Sequence, residues 1–478
     1  MRIFLIWDEE EPEMRVIFDA LLKDGHEIVY WVGGYCSLQV TPPGTVFHDH
    51  FEAWDATPAQ ALKNEPIEPA STQLIDSMAH IESHILTMMN KRYNIAYVDE
   101  RKHVYFTMLA YWDYVIDRYK PDCIVYAVVP HSIYANIVDE MAKKRGIKRI
   151  CLEDTWVGTH TLVYHDFWKG SDALHAELKK LEQTSVSEND LCEQLQEYWK
   201  IQTAPHGGVE PEYMVDQKSL LKGWGRIINR SKIVLRTLRN GTLPYFVADY
   251  VVRLFKRDLT DEYAEVVKKP DWNVPFVYFP LNHQPERTSS PQGLVYADLL
   301  LTAETVAAAL PEGWELWVKE HPTQWMLRST RYSSIRYPGY YHRLAKIPNV
   351  RVVPIGTDTF TLTEKASAVA VTTGTAGWEA ILKGKRPLMF GIPWWRDCPG
   401  VYRVDSAASC RDALREIQNG ARVDTQDILR FLVAVDRTCI HAHVEPPTAS
   451  WKAARDTQDR NLPGVMKRIC DELRAMEN

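Results

Sequence analysis

The sequence has no C-x-x-C pair, no D-x-D triplet, no G-x-G-x-x-G turn and no G-K-[ST] phosphate loop. The first absence, with eight scattered cysteines, excludes the common zinc-ligand spacings and fits a reducing compartment, so a cytoplasmic protein is expected. The second leaves metal-bridged diphosphate chemistry unsupported, so neither a metal nor a resident cofactor is expected. Charge of one sign is not in excess either. Fifty-six Lys and Arg stand against 63 Asp and Glu, and the net charge of −7 gives no general pull toward nucleic acid. No apolar run approaches the length of a membrane span. The opening run Met1–Trp7 stops at Asp8, too short for a secretory core, so no signal peptide is expected.

What is present is ordinary globular composition, 45% hydrophobic and 25% charged, over 478 residues, a length that favours two domains. Ile3–Trp7, Met14–Leu22 and Glu27–Val32 read strand, helix, strand. A second such set follows with strand Cys123–Val128, helix Ala135–Lys144 and strand Arg149–Leu152. Residues 273–440 alternate again. Strands are predicted at Phe276–Leu281, Glu315–Val318, Val350–Val353, Ala368–Thr372 and Pro387–Phe390. Helices are predicted at Val295–Leu310, Tyr340–Lys346, Thr359–Lys365 and Ala376–Lys383.

This pattern predicts mostly parallel, doubly wound sheets. The fold class expected is α/β and GT-B-like: two Rossmann-like domains facing across a cleft, with a helical insertion. Other doubly wound pairs share the order of elements. The expected domains are 1–169, a helical and partly basic insertion at 170–265, a second Rossmann-like domain at 266–440, and a helical tail at 441–478 packing back on the first domain. Lys218–Arg257 holds ten basic residues and one acid, Asp249, with apolar residues at helical spacing. It fits either a packed helix with a solvated basic face or a helix resting on an anionic membrane surface.

Four strand ends carry polar chemistry. Phe279-Pro280-Leu281-Asn282-His283-Gln284-Pro285-Glu286 puts a carboxylate at the C-terminal edge of a strand, where open α/β sheets bind ligands. Gln284 and Arg287 flank it as candidate substrate contacts. Lys319 and His321, followed by Pro322, end the next strand and can donate to phosphate oxygens. Thr372-Thr373-Gly374-Thr375 leads a strand into a helix, where hydroxyls, free N–H groups and the helix dipole make an anion cradle. Glu379, one turn into that helix, lies within reach of a ribose hydroxyl. In the first domain, Glu153 and Asp154 end a strand, Asp154 as a further candidate substrate contact, and His131 follows another. Facing carboxylates, a basic pair and a phosphate cradle suit transfer from a sugar nucleotide, and the missing D-x-D favours a monophosphate-linked donor.

The ordered strings FPLNHQPE (279–286), VKEHP (318–322), NVRVVP (349–354) and TTGTAGWEAILKGKRPLMFG (372–391) resemble the capsule polysaccharide synthesis and export family. A weaker likeness covers PHSIYANIVDEMAKKRGIKRICLED at 130–154. That family includes bacterial retaining β-Kdo transferases and related nonulosonic acid transferases that use CMP-linked donors. The resemblance implies that His321 and Pro322 hold the CMP, that Thr373–Thr375 form the phosphate turn, and that Glu286 is the catalytic carboxylate, with Glu153 as an acidic residue of the first domain. The position of Glu286 is Asp in the Kdo transferases, which leaves the sugar open between Kdo and a nonulosonic acid. Glu153 is expected to be a general acid/base serving leaving group or acceptor, and His131 is an alternative base. The implied partners are a CMP-activated acidic sugar and a glycan or lipid-linked acceptor; the basic stretch at 218–257, outside the resemblance, adds an anionic membrane surface as a candidate partner. The alternative is a non-catalytic or differently specific assembly or export component on the same fold.

Overall fold

The structure, a computed structural model, describes residues 1–9, 11–34, 40–94, 96–204, 259–322, 324, 335–444 and 461–477. The basic stretch at 218–257 lies outside the described residues.

The first unit is built on β1 (Arg2–Ile6), β2 (Glu27–Gly33), β3 (Val46–Asp49), β4 (Cys123–Tyr126), β5 (Lys148–Asp154) and β6 (His160–Tyr164). The second is built on β7 (Phe276–Pro280), β8 (Glu315–Lys319), β9 (Val350–Val352), β10 (Ala368–Val371), β11 (Leu388–Met389) and β12 (Tyr402–Arg403). A last strand, β13 (Ile440–His441), returns to the first sheet. The orders are β13-β6-β5-β4-β1-β2-β3 and β12-β11-β10-β7-β8-β9. The second sheet is parallel throughout; in the first, only β6 runs against the others, antiparallel to both β5 and β13. Each sheet thus reverses its strand order once, at β1/β4 and at β7/β10. Both units are Rossmann-like, and ligands of such sheets bind beyond the strand ends at the reversal.

The strands form where the sequence is continuously apolar. Cys123–Tyr126 and Ala368–Val371 are buried at every position, as expected for strands covered by helices on both faces. The predicted helix at Val295–Leu310 begins instead as a 3-10 turn, Leu294–Ala297, and its α-helical part is Leu299–Ala307. Asp298 divides the two by capping the N–H groups of Leu300 and Leu301. Helix Leu462–Glu477 packs on helix Glu11–Lys23, and helix Thr425–Thr438 on helix Asp172–Leu181. One apolar cluster runs from Phe4 and Tyr30 through Trp112 and Tyr134 to Trp378 and Phe431, so buried side chains of both units belong to a common core.

Candidate functional site

The reversal point of the second sheet is closed by side chains. Asn282, just past β7, donates from Nδ2 to Thr373 Oγ1 at 3.1 Å and accepts from Thr372 Oγ1 at 2.6 Å. Thr373 Oγ1 in turn donates to the Thr288 carbonyl at 2.5 Å. The expectation that the Thr373 hydroxyl lies open to phosphate is therefore corrected: it is buried and fully engaged in joining β7 to β10. What remains open is Gly374, the N-cap of helix Thr375–Leu382, and the exposed Thr375 with the first N–H groups of that helix. Gly377 permits this helix to sit close to the sheet, since a Cβ there would lie 2.5 Å from the Trp395 ring and 2.7 Å from Val371. Glu379 is half-buried in the next turn, and burial pushes its pKa up to about 7 against the pull of Lys383.

The basic pair on β8 divides. Lys319 is buried, and its ammonium donates to the Thr357 carbonyl at 2.6 Å and to Thr359 Oγ1 at 2.7 Å, so it serves the turn after β9 instead of facing a phosphate. His321 lies 5.6 Å, ring to ring, from His283. Burial, reinforced by that neighbour, drives its pKa down to about 4. At neutral pH it is an uncharged imidazole that acts by hydrogen bonding, not as a cation. Pro322 follows it into a turn.

Between them, buried Glu320 and Arg336 form a bridge of 2.7 Å. Arg336 also donates to Gln284 Oε1 and to the Asn282 carbonyl, and the Tyr341 hydroxyl donates to Glu320. Gln284 spends its amide on the Ala297 carbonyl at 2.8 Å. As placed, Gln284 is a strut of the loop after β7, a correction to its expected contact with substrate.

That loop carries Glu286 to the mouth between the units. Glu286 is exposed, and its Oε2 accepts from Thr288 Oγ1 at 3.2 Å. Its backbone carbonyl accepts from the N–H of Ser290 at 2.9 Å. Facing it from the first unit is Lys91, which no motif or strand end singles out. The ammonium donates to the carbonyls of His131, in its own unit, and Ser290, in the other, at 3.0 and 3.1 Å. Loss of hydration, with the nearby Arg287, pushes Lys91 down to about 7, while Glu286 pulls it up. His131 turns Nδ1 toward the Val129 carbonyl at 3.0 Å. Burial and the charges of Lys91 and Arg287 hold its pKa well below the usual range, which makes it a poor proton acceptor. A cavity of about 240 Å³ opens here, lined by Asn90, Lys91, Pro285, Ser289, Leu300 and Tyr337 among others.

Glu153 and Asp154 are neighbours on β5 and so point to opposite faces of the sheet. Glu153 is buried and accepts from the Tyr164 hydroxyl at 2.8 Å and from Gln292 Nε2, across the unit boundary, at 2.6 Å. Asp154 accepts from Thr161 Oγ1 at 2.5 Å and from the Val444 N–H at 3.2 Å. Burial opposes its charge, but His443, Thr161 and Val444 outweigh that and keep its pKa low. It anchors the returning segment and lies away from the cleft, which corrects its expected role in binding substrate.

Residues 287–424 match the family described as capsule polysaccharide biosynthesis protein. The match takes in the motifs at 318–322 and 372–391 and begins one residue after Glu286. No curated protein matches the chain in sequence. Among solved structures, KpsC of Thermosulfurimonas dismutans, a beta Kdo 2,7 transferase, is 12% identical over 68% of this chain and 79% of its own, with a TM-score of 0.29. A putative UDP-N-acetylglucosamine 2-epimerase of Listeria monocytogenes is 11% identical over 91% of this chain and 92% of its own, with a TM-score of 0.25. Superpositions of that order say nothing about activity. Over residues 287–424, then, the resemblance read from the sequence holds, and this part of the chain is similar to the capsule polysaccharide biosynthesis family.

Proposed function

We propose that the chain is a glycosyltransferase of bacterial surface-polysaccharide synthesis. It moves Kdo or a nonulosonic acid from a CMP-linked donor to a glycan or glycolipid, with retention of configuration and without a metal. The observation that carries this reading is that Lys91, at the inter-unit mouth, feels the charges of both exposed Glu286 and Arg287. A cationic wall beside a carboxylate suits a sugar that is itself an acid: the wall takes the sugar's carboxylate, and Glu286 faces the anomeric carbon. In a double displacement, Glu286 forms a bond to that carbon as the bond to CMP breaks, and the acceptor hydroxyl then displaces Glu286 from the other face, losing its proton to solvent. The CMP phosphate sits at the N-terminus of helix Thr375–Leu382, with His321 as a neutral donor and Glu379 at the ribose. Glu153, held by Gln292, keeps the two units in register.

The test is incubation of the purified protein with CMP-Kdo and CMP-nonulosonates. Wild type should release CMP, and Glu286→Gln should lose turnover by about 100-fold or more while binding CMP normally. His321→Ala should show the reverse emphasis, with weakened CMP binding by calorimetry. No CMP release from any of these donors, or an active Glu286→Gln enzyme, removes the reading. In the same proposal, the enzyme works on the cytoplasmic side of a membrane, where 218–257 meets anionic lipid. Among the described residues no helix is long and apolar enough to cross one. Each basic residue near such a surface contributes about 1 kcal/mol, weakened by salt. Co-sedimentation should therefore require anionic vesicles and fade with salt; equal behaviour with neutral vesicles would discard the membrane contact.

A further inference from the structure

The cavity between the units has a chemistry that neither Glu286 nor the nucleotide needs. Its volume is about 240 Å³. Pockets that take a whole small ligand run from about 300 Å³ upward, so this one suits part of a ligand. It adjoins the mouth: Pro285 and Lys91 both line it, the first immediately precedes Glu286, and the second feels the Glu286 charge.

Much of the wall is apolar, from Pro285, Leu299 and Leu300. Three polar side chains in it have hydrogen-bonding capacity left over. The Lys91 ammonium has three N–H donors and spends two, on the His131 and Ser290 carbonyls. Asp298 spends Oδ1 on the N–H groups of Leu300 and Leu301, and no described residue donates to its Oδ2. Tyr340 is 3% exposed, yet its hydroxyl has no hydrogen-bond partner among the described residues. Buried hydroxyls are rarely left so, because the lost hydration goes uncompensated. Tyr340 is also held in place. It opens helix Tyr340–Lys346, the Arg336 guanidinium lies 4.9 Å over its ring, and the Tyr341 ring meets it edge-on at 5.3 Å. Burial raises its pKa against the pull of Arg336, and Asp298 is close enough to add to the rise. The phenol therefore stays protonated and can donate.

An unspent O–H, an unspent carboxylate oxygen and an apolar wall together match one small group. A carbonyl oxygen accepts from Tyr340, the adjoining N–H donates to Asp298, and a methyl rests on Leu299 and Leu300. That group is a secondary amide with a short acyl chain. A hydroxyl in its place would leave the apolar wall facing water. We propose that this cavity is a specificity subsite for an N-acyl group of the donor sugar, with Tyr340 and Asp298 as its polar contacts. On the reading of the chain as a transferase of acidic sugars, on which this rests, the preferred donor is an N-acylated nonulosonic acid, since Kdo carries no acyl group. The sugar's carboxylate meets the third N–H of Lys91, its anomeric carbon faces Glu286, and its acylamino group enters the cavity.

The test compares CMP release by the full chain from three donors: CMP-N-acetylneuraminate, its deamino congener with a hydroxyl in place of the acetamido group, and CMP-Kdo. The kcat/KM for the N-acetyl donor should exceed that for either of the others by about tenfold or more. Tyr340→Phe keeps the ring beneath Arg336 and removes an unpaired hydroxyl, so its melting temperature should match or exceed that of wild type. In that variant the N-acetyl and deamino donors should come within about threefold of each other, through a raised KM for the N-acetyl donor. A wild type that uses the deamino or Kdo donor as well as the N-acetyl one, or a Tyr340→Phe enzyme that keeps the full preference, overturns the subsite and leaves the transferase in place. Release of CMP from none of the three removes the transferase reading itself, and the subsite with it.

Discussion

Lys91 is held in a place that penalises its charge. Its pKa is lowered from 10.5 to about 7 chiefly by lost hydration, then by Arg287, with Glu286 opposing. Between those two values the unfolded chain holds a proton that the folded chain has shed. Stability relative to a Lys91→Met variant should therefore rise with pH across that window and level off below about 7. Chemical denaturation of both proteins from pH 6 to 10 checks this, and parallel curves would show that Lys91 is not strained. The same penalty is useful to a site for acids, because an arriving carboxylate restores a partner to the ammonium. Lys91 also marks a boundary of what sequence reading can reach. It stands in a polar stretch, at no strand end, and joins the site only by contacting residues 40 and 199 positions away. The Thr373 hydroxyl fails for the same reason in reverse. Its local sequence looks like a phosphate turn, and its partners, Asn282 and Thr288, come from another segment.

At the scale of elements, the loop after β7 owes its course to the buried Glu320–Arg336 bridge. One partner without the other leaves an unpaired buried charge, a loss of about 3–5 kcal/mol. Arg336→Leu should therefore destabilise the protein by that order, and it should also release Gln284 and the Asn282 carbonyl, loosening the segment that presents Glu286. Hydrogen exchange at 282–286, compared with exchange on β10, separates a local effect from a global one; protection at 282–286 as in wild type would reject the bridge as the support of the loop. Elements of this second unit were legible because apolar runs such as Phe276–Pro280 and Ala368–Val371 alternate with capped helices. The outer strands were not. Ile440–His441 is two residues long, and His160–Tyr164 is a strand only through its antiparallel partners. Helix Thr72–Met88 does bury Met78, Ile81, Ile85 and Met88 at helical spacing, a signal present in the sequence. Helix Val98–Tyr119 buries Tyr105, Met108, Leu109, Trp112 and Ile116 on one face, but charged residues crowd its first two turns and weaken the pattern.

Over the whole molecule, the two units share apolar core and are stitched by Gln292 to Glu153 and by Lys91 to Ser290. Separate unfolding of the units would have to expose that core. One calorimetric transition is therefore expected, with van't Hoff and calorimetric enthalpies equal. Two resolved transitions would mean that the shared core does not couple them. Strand β13 has a further consequence. It lies at the edge of the first sheet, yet it follows every strand of the second in the chain. Helix Leu462–Glu477, covering helix Glu11–Lys23, comes later still. During synthesis the amino-terminal half therefore leaves the ribosome with the edge of β6 uncovered, and it must wait through some 280 residues (164 to 440) for the segment that seals it. The unit translated first is completed last.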